Sequence, residues 1–302
     1  MESVRAKLAS LRREGRFAGV GGASLFYVRY DAEAPRGTVL MLHGFGESCE
    51  KYHEMISYFL ADGLSVLIYE HRGHGRSSRE VARGLTHVSR FDDYVGDARC
   101  CIDTLLLQCP RPYYLFSHSM GGAVSALLLE GEHPFARAAL CAPMIAMHPR
   151  PHLPPLVAKL GCNAACLFGI GKKKVPKMRI PDGNKPFEYS SSLSRARYED
   201  YSTLCKSAPE LLGGAPTLGW TGEAIRVTKR ILKKGAPESI SIPVRLYSAE
   251  RDHLVDNEKQ REFIARVPNG KLVFIPQCKH EIYGANDEIL HPFLNDLLDF
   301  LQ

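Results

Sequence analysis

The sequence lacks the features that mark membrane-spanning, secreted and repetitive proteins. It has no run of roughly 18 uncharged apolar residues, the length that crosses a bilayer as a helix. The charged N-terminal stretch MESVRAKLASLRREGRF contains no apolar region of the kind found in secretory signals. Neither internal repeats nor low-complexity segments occur. We therefore expect a cytoplasmic protein whose contact with a membrane is at most peripheral, at the inner face.

Signatures of metals, disulfide frameworks and nucleotides are missing as well. The nine cysteines are odd in number and include no CxxC pair or histidine-spaced quartet, so we expect reduced thiols and no metal. The glycine-rich segment EHRGHGRSS at 70–78 has neither a Walker lysine nor the G-x-G-x-x-G spacing. We interpret it as a structural turn and expect no cofactor.

The charge is nearly balanced. Lys and Arg number 39 against 33 Asp and Glu, a formal net charge of +6, which is well short of the composition of a nucleic-acid-binding protein. No nucleic-acid partner is therefore expected. With 302 residues, 45% of them hydrophobic, the chain is long enough to bury a large core.

From Thr38 onward, short apolar runs alternate with helical stretches. The runs are apolar on both faces, as buried parallel strands are, and the alternation predicts right-handed βαβ units and a mostly parallel central sheet flanked by helices. The alternation stops between Pro149 and Lys234 and resumes with PVRLYSAERD. We therefore predict an α/β core at 1–148 and 235–302 with an inserted cap at 149–234. The upstream segment GGASLFYVRYDA alternates apolar and polar residues and predicts an antiparallel edge strand.

The strongest local signal is YYLFSHSMGG at 113–122, a strand that runs into a turn of small residues and then a helix. This is the context of a nucleophile elbow, in which a strained turn projects a serine from the sheet edge. Ser119 is the predicted nucleophile. Gly121 meets the need for a small residue two positions later, whereas position 117 is Ser where the GxSxG pattern has Gly.

A serine hydroxyl needs a base to remove its proton and an acid to orient that base, and in this fold they follow in the order Ser, acid, His. Asp252 comes at the end of the strand VRLYSAERD, and His280 lies in the loop after the next strand, KLVFIP. We predict Asp252 as the acid and His280 as the base. Asp256 and Glu250 remain alternative acids. The rival histidines are His43, His71, His74 and His118 upstream of the acid, His253 beside it, and His291 before Pro292.

Two backbone amides should face the developing oxyanion, one from the residue after the nucleophile and one from an earlier strand-to-helix loop. Met120 and Phe45 occupy these positions, and Gly44 and Gly46 allow the tight backbone path that would turn the Phe45 amide inward. The alternative is an ordinary turn after a strand.

Five segments in chain order resemble those of the monoacylglycerol lipases and bacterial lysophospholipases, which are serine aminopeptidase-like hydrolases: HGFGE, EHRGHGRS, SHSMGG, AERDHLV and CKHEIYG. In the predicted cap, APELLGGAPTLGWTGEA (208–224) resembles the PT-x-x-W region of membrane-associated bacterial lysophospholipases. The departures are Ser117 in the elbow and Glu70 where an Asp usually precedes the RGHG turn. The resemblance implies an α/β-hydrolase fold and cofactor-free hydrolysis of one long acyl chain from a glycerol or glycerophospho group.

The cap sequence carries two features that bear on a lipid-like ester substrate. PHLPPLVAKLGCNAACLFGIG is apolar except for Lys159 and Asn163, and the basic segment KKKVPKMR follows it at once. An apolar stretch beside basic residues is typical of a peripheral membrane surface. The alternative is a packed cap helix followed by a solvated basic loop. Trp220, the only tryptophan, is expected either beside the acyl site or in ordinary cap packing.

Two other functions remain open at this level. A carboxylesterase for small esters differs from a lipase in its chain-length preference. A long lipid channel should favour acyl chains of about twelve carbons or more over acetate, because each buried methylene contributes about 0.8 kcal/mol, whereas the carboxylesterase would prefer acetyl esters. A catalytically silent binding module would keep the fold and lose the activity. Dehalogenase and epoxide-hydrolase chemistry need a carboxylate at the elbow, where this chain has Ser119.

Overall fold

The strands and helices are given for a computed structural model that describes residues 2–148 and 155–302. The strands are Arg12–Ala18 (β1), Ser24–Tyr30 (β2), Gly37–Leu42 (β3), Leu64–Tyr69 (β4), Leu85–Thr86 (β5), Tyr113–His118 (β6), Phe135–Cys141 (β7), Ala215–Pro216 (β8), Val244–Ala249 (β9) and Gly270–Ile275 (β10). The helices are Glu2–Leu11 (α1), His53–Ala61 (α2), Asp92–Thr104 (α3), Met120–Leu129 (α4), Pro155–Leu167 (α5), Arg195–Ser207 (α6), Leu218–Ile231 (α7), Asn257–Arg266 (α8) and Asp287–Phe300 (α9).

The central sheet has eight strands within the described residues, in the order β1-β2-β4-β3-β6-β7-β9-β10. The pairings from β4 through β10 are parallel, and β1 and β2 join antiparallel at one end. The predicted mostly parallel sheet is confirmed. Because parallel strands end at the same sheet edge, the loops after β3, β6, β9 and β10 meet there.

The core strands are buried on both faces because helices cover both sides of the sheet. Every residue of β3, β4 and β6 is buried. One hydrophobic cluster joins the sheet to α3, α4 and α7, and the other joins it to α1, α2 and α9. The core strands are continuously apolar in sequence because they pack between two layers of helices.

The prediction for the edge strand was wrong in its position. The segment GGASLFYVRYDA contains β2, but β2 pairs with β1 on one side and β4 on the other, so β1 is the edge strand. The charged N-terminal stretch divides into α1 and β1. Phe17 is the one buried residue of β1. Because most of its other residues are charged, the sequence of β1 lacks the alternation of apolar and polar residues that predicts a strand. Charged residues on an edge strand also discourage pairing with another chain.

Helices α5, α6 and α7 lie between β7 and β9, where the cap is predicted; the division into core and cap stays a prediction, and its start at Pro149 lies outside the described residues. Helix α7 packs against α4 and α5. Its buried Trp220, Ala224, Val227 and Ile231 recur at helical spacing. Strand β8, which has two residues, pairs with β5 outside the central sheet.

Candidate active site

The turn between β6 and α4 holds Ser119 in a backbone conformation that a residue with a side chain seldom adopts. Its φ is 50° and its ψ is −115°, a strain of about 1–3 kcal/mol. The turn is fixed on both sides, because the Ser119 amide donates to the Cys141 carbonyl at 3.1 Å and the Ser119 carbonyl accepts from Met144 at 2.8 Å. The predicted nucleophile thus lies on a rigid, strained turn at the carboxyl edge of the sheet.

The residue Gly121 explains why this turn needs a small side chain. A Cβ at this position would lie 2.2 Å from the Leu42 carbonyl oxygen, so α4 approaches the end of β3 closely. Ser117, which replaces the elbow glycine, is fully buried in β6. Its hydroxyl is buried and has no hydrogen-bond partner among the described residues.

The loops after β9 and β10 bring Asp252 and His280 together. The Asp252 Oδ2 and His280 Nδ1 atoms are 2.6 Å apart, and the Asp252 side chain is fully shielded from solvent. Burial by itself raises the pKa of Asp252, but the hydrogen bond and charge of His280 and the amides of Leu254 and Val255 lower it below its usual value. Asp252 is therefore an ionised partner that holds the imidazole by Nδ1 and leaves Nε2 for a reacting group.

The two alternative acids have other structural roles. The Asp256 carboxylate caps α8 by accepting from the Glu258 and Lys259 amides. The Glu250 carboxylate accepts from the Gln277 amide at 2.6 Å. Within the described residues, neither carboxylate forms a hydrogen bond with His280, whereas Asp252 does.

The loop after β3 carries Phe45 between two fixed neighbours. His43 Nδ1 donates to the Gly44 carbonyl at 2.7 Å while His43 Nε2 accepts from the His71 amide at 2.9 Å. Burial lowers the pKa of His43, which favours the neutral ring that this pattern requires. No hydrogen bond from the Phe45 amide occurs among the described residues, and Met120 begins α4, where an amide has no intrahelical acceptor. Both amides are therefore available to an oxyanion.

Glu47 is a buried carboxylate that sequence reasoning missed. Its Oε2 accepts from the Gly44 amide at 2.6 Å and the Tyr52 hydroxyl at 2.5 Å, and its Oε1 accepts from the Tyr283 hydroxyl at 2.6 Å and Lys51 Nζ at 2.9 Å. Burial would raise the pKa of Glu47, but Lys51 and the hydrogen-bond donors lower it well below its usual value. Glu47 thus ties the loop of Phe45 to the segment that follows His280.

His118, the residue before Ser119, extends this contact. Its Nδ1 lies 3.2 Å from Glu47 Oε2, and its Nε2 lies 3.4 Å from the His280 carbonyl oxygen. The His118 and His280 rings are 4.8 Å apart between centroids. Glu47 and His118 therefore join the three loops that carry Ser119, Phe45 and His280. The only sequence signal for this role is a charged residue directly after the glycine-rich turn HGFG.

The segment predicted as cap contacts the Phe45 loop directly. The rings of Trp220 and Phe45 are 4.2 Å apart between centroids, and Trp220 is buried. Gly213 approaches so closely that a Cβ there would lie 2.4 Å from the Gly46 carbonyl oxygen. Trp220 therefore packs against the loop of Phe45, and its place beside an acyl site stays a prediction.

The segment EHRGHGRSS forms a turn closed by a buried ion pair. Glu70 accepts from the Arg76 amide at 2.5 Å and pairs with the Arg76 guanidinium at 2.8 Å. Glu70 is fully buried. The replacement of the usual Asp by Glu70 therefore affects the packing inside this turn and leaves its surface unchanged. In the described part of the chain, no group of three or more His, Cys, Asp or Glu side chains is placed to hold a metal ion.

Comparison with known proteins identifies relatives over nearly the full chain. The family model "Serine aminopeptidase, S33" matches residues 33–287. Lysophospholipase L2 of Escherichia coli K12 is 32% identical, with the match covering 96% of this chain and 88% of that protein. Human monoglyceride lipase is 27% identical over 74% of this chain and 68% of its own.

Solved structures show the same fold. A soluble variant of monoglyceride lipase from Saccharomyces cerevisiae superposes with a TM-score of 0.77 at 19% identity, covering 97% of this chain and 95% of that one. A thermostable carboxyl esterase from Bacillus coagulans gives a TM-score of 0.75 at 19% identity over 96% and 97%. The predicted α/β-hydrolase fold is thus confirmed.

Proposed function

This chain belongs to the S33 serine aminopeptidase family of α/β-hydrolases, and from that membership we propose that it releases a fatty acid from a lysophospholipid or a monoacylglycerol. The names of its relatives, a lysophospholipase and monoglyceride lipases, support this substrate class. The observation that carries the chemistry is the strained turn of Ser119 at the sheet edge where Asp252 meets His280 at 2.6 Å.

The proposed mechanism is acyl transfer in two steps. The Ser119 oxygen attacks the ester carbonyl carbon while His280 Nε2 takes the serine proton. The Phe45 and Met120 amides donate to the oxyanion that forms. Protonated His280 then gives its proton to the leaving alcohol as the ester bond breaks. A water molecule then attacks the acyl carbon while His280 takes its proton. The bond between the acyl carbon and Ser119 Oγ breaks, His280 returns the proton to Ser119 Oγ, and the fatty acid leaves.

The substrate class is tested by release of fatty acid from three esters at equal concentration. Wild type is expected to hydrolyse a lysophosphatidylethanolamine or a monoacylglycerol with an acyl chain of about twelve carbons or more in preference to an acetate ester, because each buried methylene contributes about 0.8 kcal/mol. A preference for the acetate ester would make the protein a general carboxylesterase. No release from any of them would leave a silent binding module.

We also propose that the surface around the end of α5 contacts a membrane peripherally. Exposed apolar side chains lie on and after this helix: Val157, Leu160, Leu167, Phe168 and Ile170. The exposed basic residues Lys172, Lys173, Lys177 and Arg179 follow. Lys174 differs, since its ammonium donates to the Val175 and Met178 carbonyls. Apolar groups beside exposed cations fit an anionic lipid surface.

Helices in the described part of the chain are all too short or too polar to span a bilayer. The apolar opening of the cap, residues 151–154, lies outside the described residues, as does the side chain of Lys159. We propose a cytoplasmic location as well. All nine cysteines are free, which supports a reducing compartment.

Lys172→Gln/Lys173→Gln should weaken binding to vesicles that contain phosphatidylserine. Each lysine near an anionic surface contributes about 1 kcal/mol, so the double variant should bind roughly 30-fold more weakly. Sedimentation with vesicles at two salt concentrations measures this. The matched control is Lys233→Gln/Lys234→Gln, another exposed adjacent pair. Equal loss in both double variants, or none in either, would contradict a specific contact through this surface.

A further inference from the structure

Lys51 joins two loops of the proposed site that lie far apart in the chain. Its ammonium lies 2.9 Å from Glu47 Oε1, in the loop that carries Phe45, and 2.8 Å from Glu281 Oε1. Glu281 is the residue directly after His280. One cation therefore connects the loop of the oxyanion amide to the loop of the proposed base.

This bridge is shielded from solvent. The exposed fractions of the side chains are 14% for Lys51, 6% for Glu47 and 19% for Glu281. The rings of Tyr201 and Tyr283 face the ammonium, each with its centroid at 5.6 Å. Desolvation lowers the pKa of Lys51, but the charges and hydrogen bonds of Glu281 and Glu47 raise it above its usual value. Lys51 is therefore a charged group whose two ion pairs are screened little by water and salt.

The loop of His280 has a second set of contacts, with the segment predicted as cap. The Glu281 amide donates to the Ser191 carbonyl at 3.0 Å, and the Lys279 ammonium donates to the Ser190 carbonyl at 3.2 Å. These bonds do not involve the carboxylate of Glu281. When its ion pair is lost, they should keep the loop folded while the position of the loop becomes less fixed.

The distance between the two bridged loops matters because they serve the same reacting carbon. In the proposed mechanism His280 exchanges protons with Ser119 while the Phe45 amide donates to the oxyanion. Asp252 orients the ring of His280 at 2.6 Å, but it comes from the loop after β9. A misplacement of about 1 Å between reacting groups can lower the rate about 10²-fold. A group that fixes the separation of these loops therefore affects the rate through their positions.

We propose that Lys51 is a positioning residue, which sets the distance between His280 and the Phe45 amide. It acts through its ion pairs with Glu281 and Glu47. This inference rests on the proposed function, which gives the base and the oxyanion amides their roles. Loss of the bridge should lower kcat and kcat/KM equally, because an interaction that acts only in the transition state leaves KM unchanged.

The first test removes the ion pair next to His280. Glu281→Gln keeps the length of the side chain and removes its charge. For the preferred ester, kcat and kcat/KM should each fall between about 10-fold and 100-fold, up to the loss for a misplacement of about 1 Å. The matched control is Glu223→Gln, because Glu223 is 20% exposed and pairs with Arg226 of the same helix at 2.8 Å. It should keep kcat within about twofold.

The second test acts on Lys51 itself. Lys51→Met leaves two carboxylates without their shared cation and should lower kcat at least as far as Glu281→Gln. Because this substitution also destabilises the fold, kcat is divided by the fraction of Ser119 that a fluorophosphonate labels at completion. Lys51→Arg keeps the positive charge and can pair with both carboxylates, so it should restore most of the activity that Lys51→Met loses.

The double variant Lys51→Met/Glu281→Gln shows whether the two residues act as one unit. Its kcat should be no lower than that of Lys51→Met, because the effects of residues that act through each other do not add. Losses that multiply, an unchanged kcat in Glu281→Gln, a rise in KM at constant kcat, or an equal loss in Glu223→Gln would overturn the positioning role.

The rate at which the fluorophosphonate labels Ser119 separates this inference from the function on which it rests. Labelling uses the same base and oxyanion amides but needs no lipid ester. If wild type releases no fatty acid from a lysophospholipid or a monoacylglycerol, the proposed function is overturned. Slower labelling in Glu281→Gln, with normal labelling in Glu223→Gln, would then still support the positioning role. Equal labelling rates in wild type and Glu281→Gln would overturn that role whatever the substrate is.

Discussion

His280→Ala should lower kcat for fatty-acid release by about 10⁶-fold, the loss seen when the base of such a triad is removed. The physical reason is that the Ser119 hydroxyl is a weak nucleophile until a base takes its proton. Asp252→Asn should lower kcat by about 10⁴-fold, because an amide favours the wrong tautomer of the imidazole. Steady-state kinetics on the preferred ester measure both.

The matched control for His280 is His291→Ala, because His291 is an exposed histidine in α9. It should keep kcat within about twofold, since exposed substitutions have small effects. The double variant with both triad substitutions should be no slower than His280→Ala, because residues that act as a unit are not additive. A loss in His291→Ala comparable to that in His280→Ala would remove His280 from its proposed role.

Glu47→Ala should lower the free energy of unfolding by about 3–5 kcal/mol, the range measured when one partner of a buried ion pair is removed. The substitution leaves the Gly44 amide and the Tyr52 and Tyr283 hydroxyls without their acceptor. The midpoint of thermal unfolding should fall by about 10 °C. Because Glu47 also holds the loop of Phe45, kcat should fall by about 10²-fold. Calorimetry and steady-state kinetics measure the two effects.

The contribution of Glu47 to the free energy of unfolding should decrease as the pH falls. Its pKa is lowered in the folded protein, so the ionised carboxylate stabilises the fold above the unfolded pKa of about 4.3. That stabilisation is lost as the pH falls from there through the folded pKa. Wild type and Glu47→Gln should therefore differ most above about pH 4 and converge in stronger acid. Glu258→Gln, at an exposed carboxylate, should differ little from wild type at any pH.

The sequence predicts the parts of this fold that repeat a strong local pattern. The apolar runs of β3, β4 and β6 and the elbow around Ser119 are each contained within a few residues, so periodicity and spacing are enough to find them. Strand β1 is not predicted from the sequence, because four of its seven residues are exposed and its charged residues resemble those of a surface helix. The signal for α7 was present, since its buried residues are spaced as in a helix, but scattered Gly and Pro around it conceal the pattern.

The site likewise contains residues that the sequence predicts and residues that it does not. Ser119, Asp252 and His280 each follow a predicted strand, and strand ends at one sheet edge meet in space. No such rule predicts the places of Glu47 and His118. Glu47 meets His118 across 71 residues of chain and Tyr283 across 236, so only the folded chain shows that they touch.

The central claim is that Ser119 carries the acyl group during ester hydrolysis. The most direct measurement is peptide mass mapping after reaction with a fluorophosphonate, together with fatty-acid release by wild type and Ser119→Ala. The account predicts a phosphonate adduct on the peptide that contains Ser119 and loss of both adduct and release in Ser119→Ala. An adduct at another residue, or undiminished release by Ser119→Ala, would contradict it.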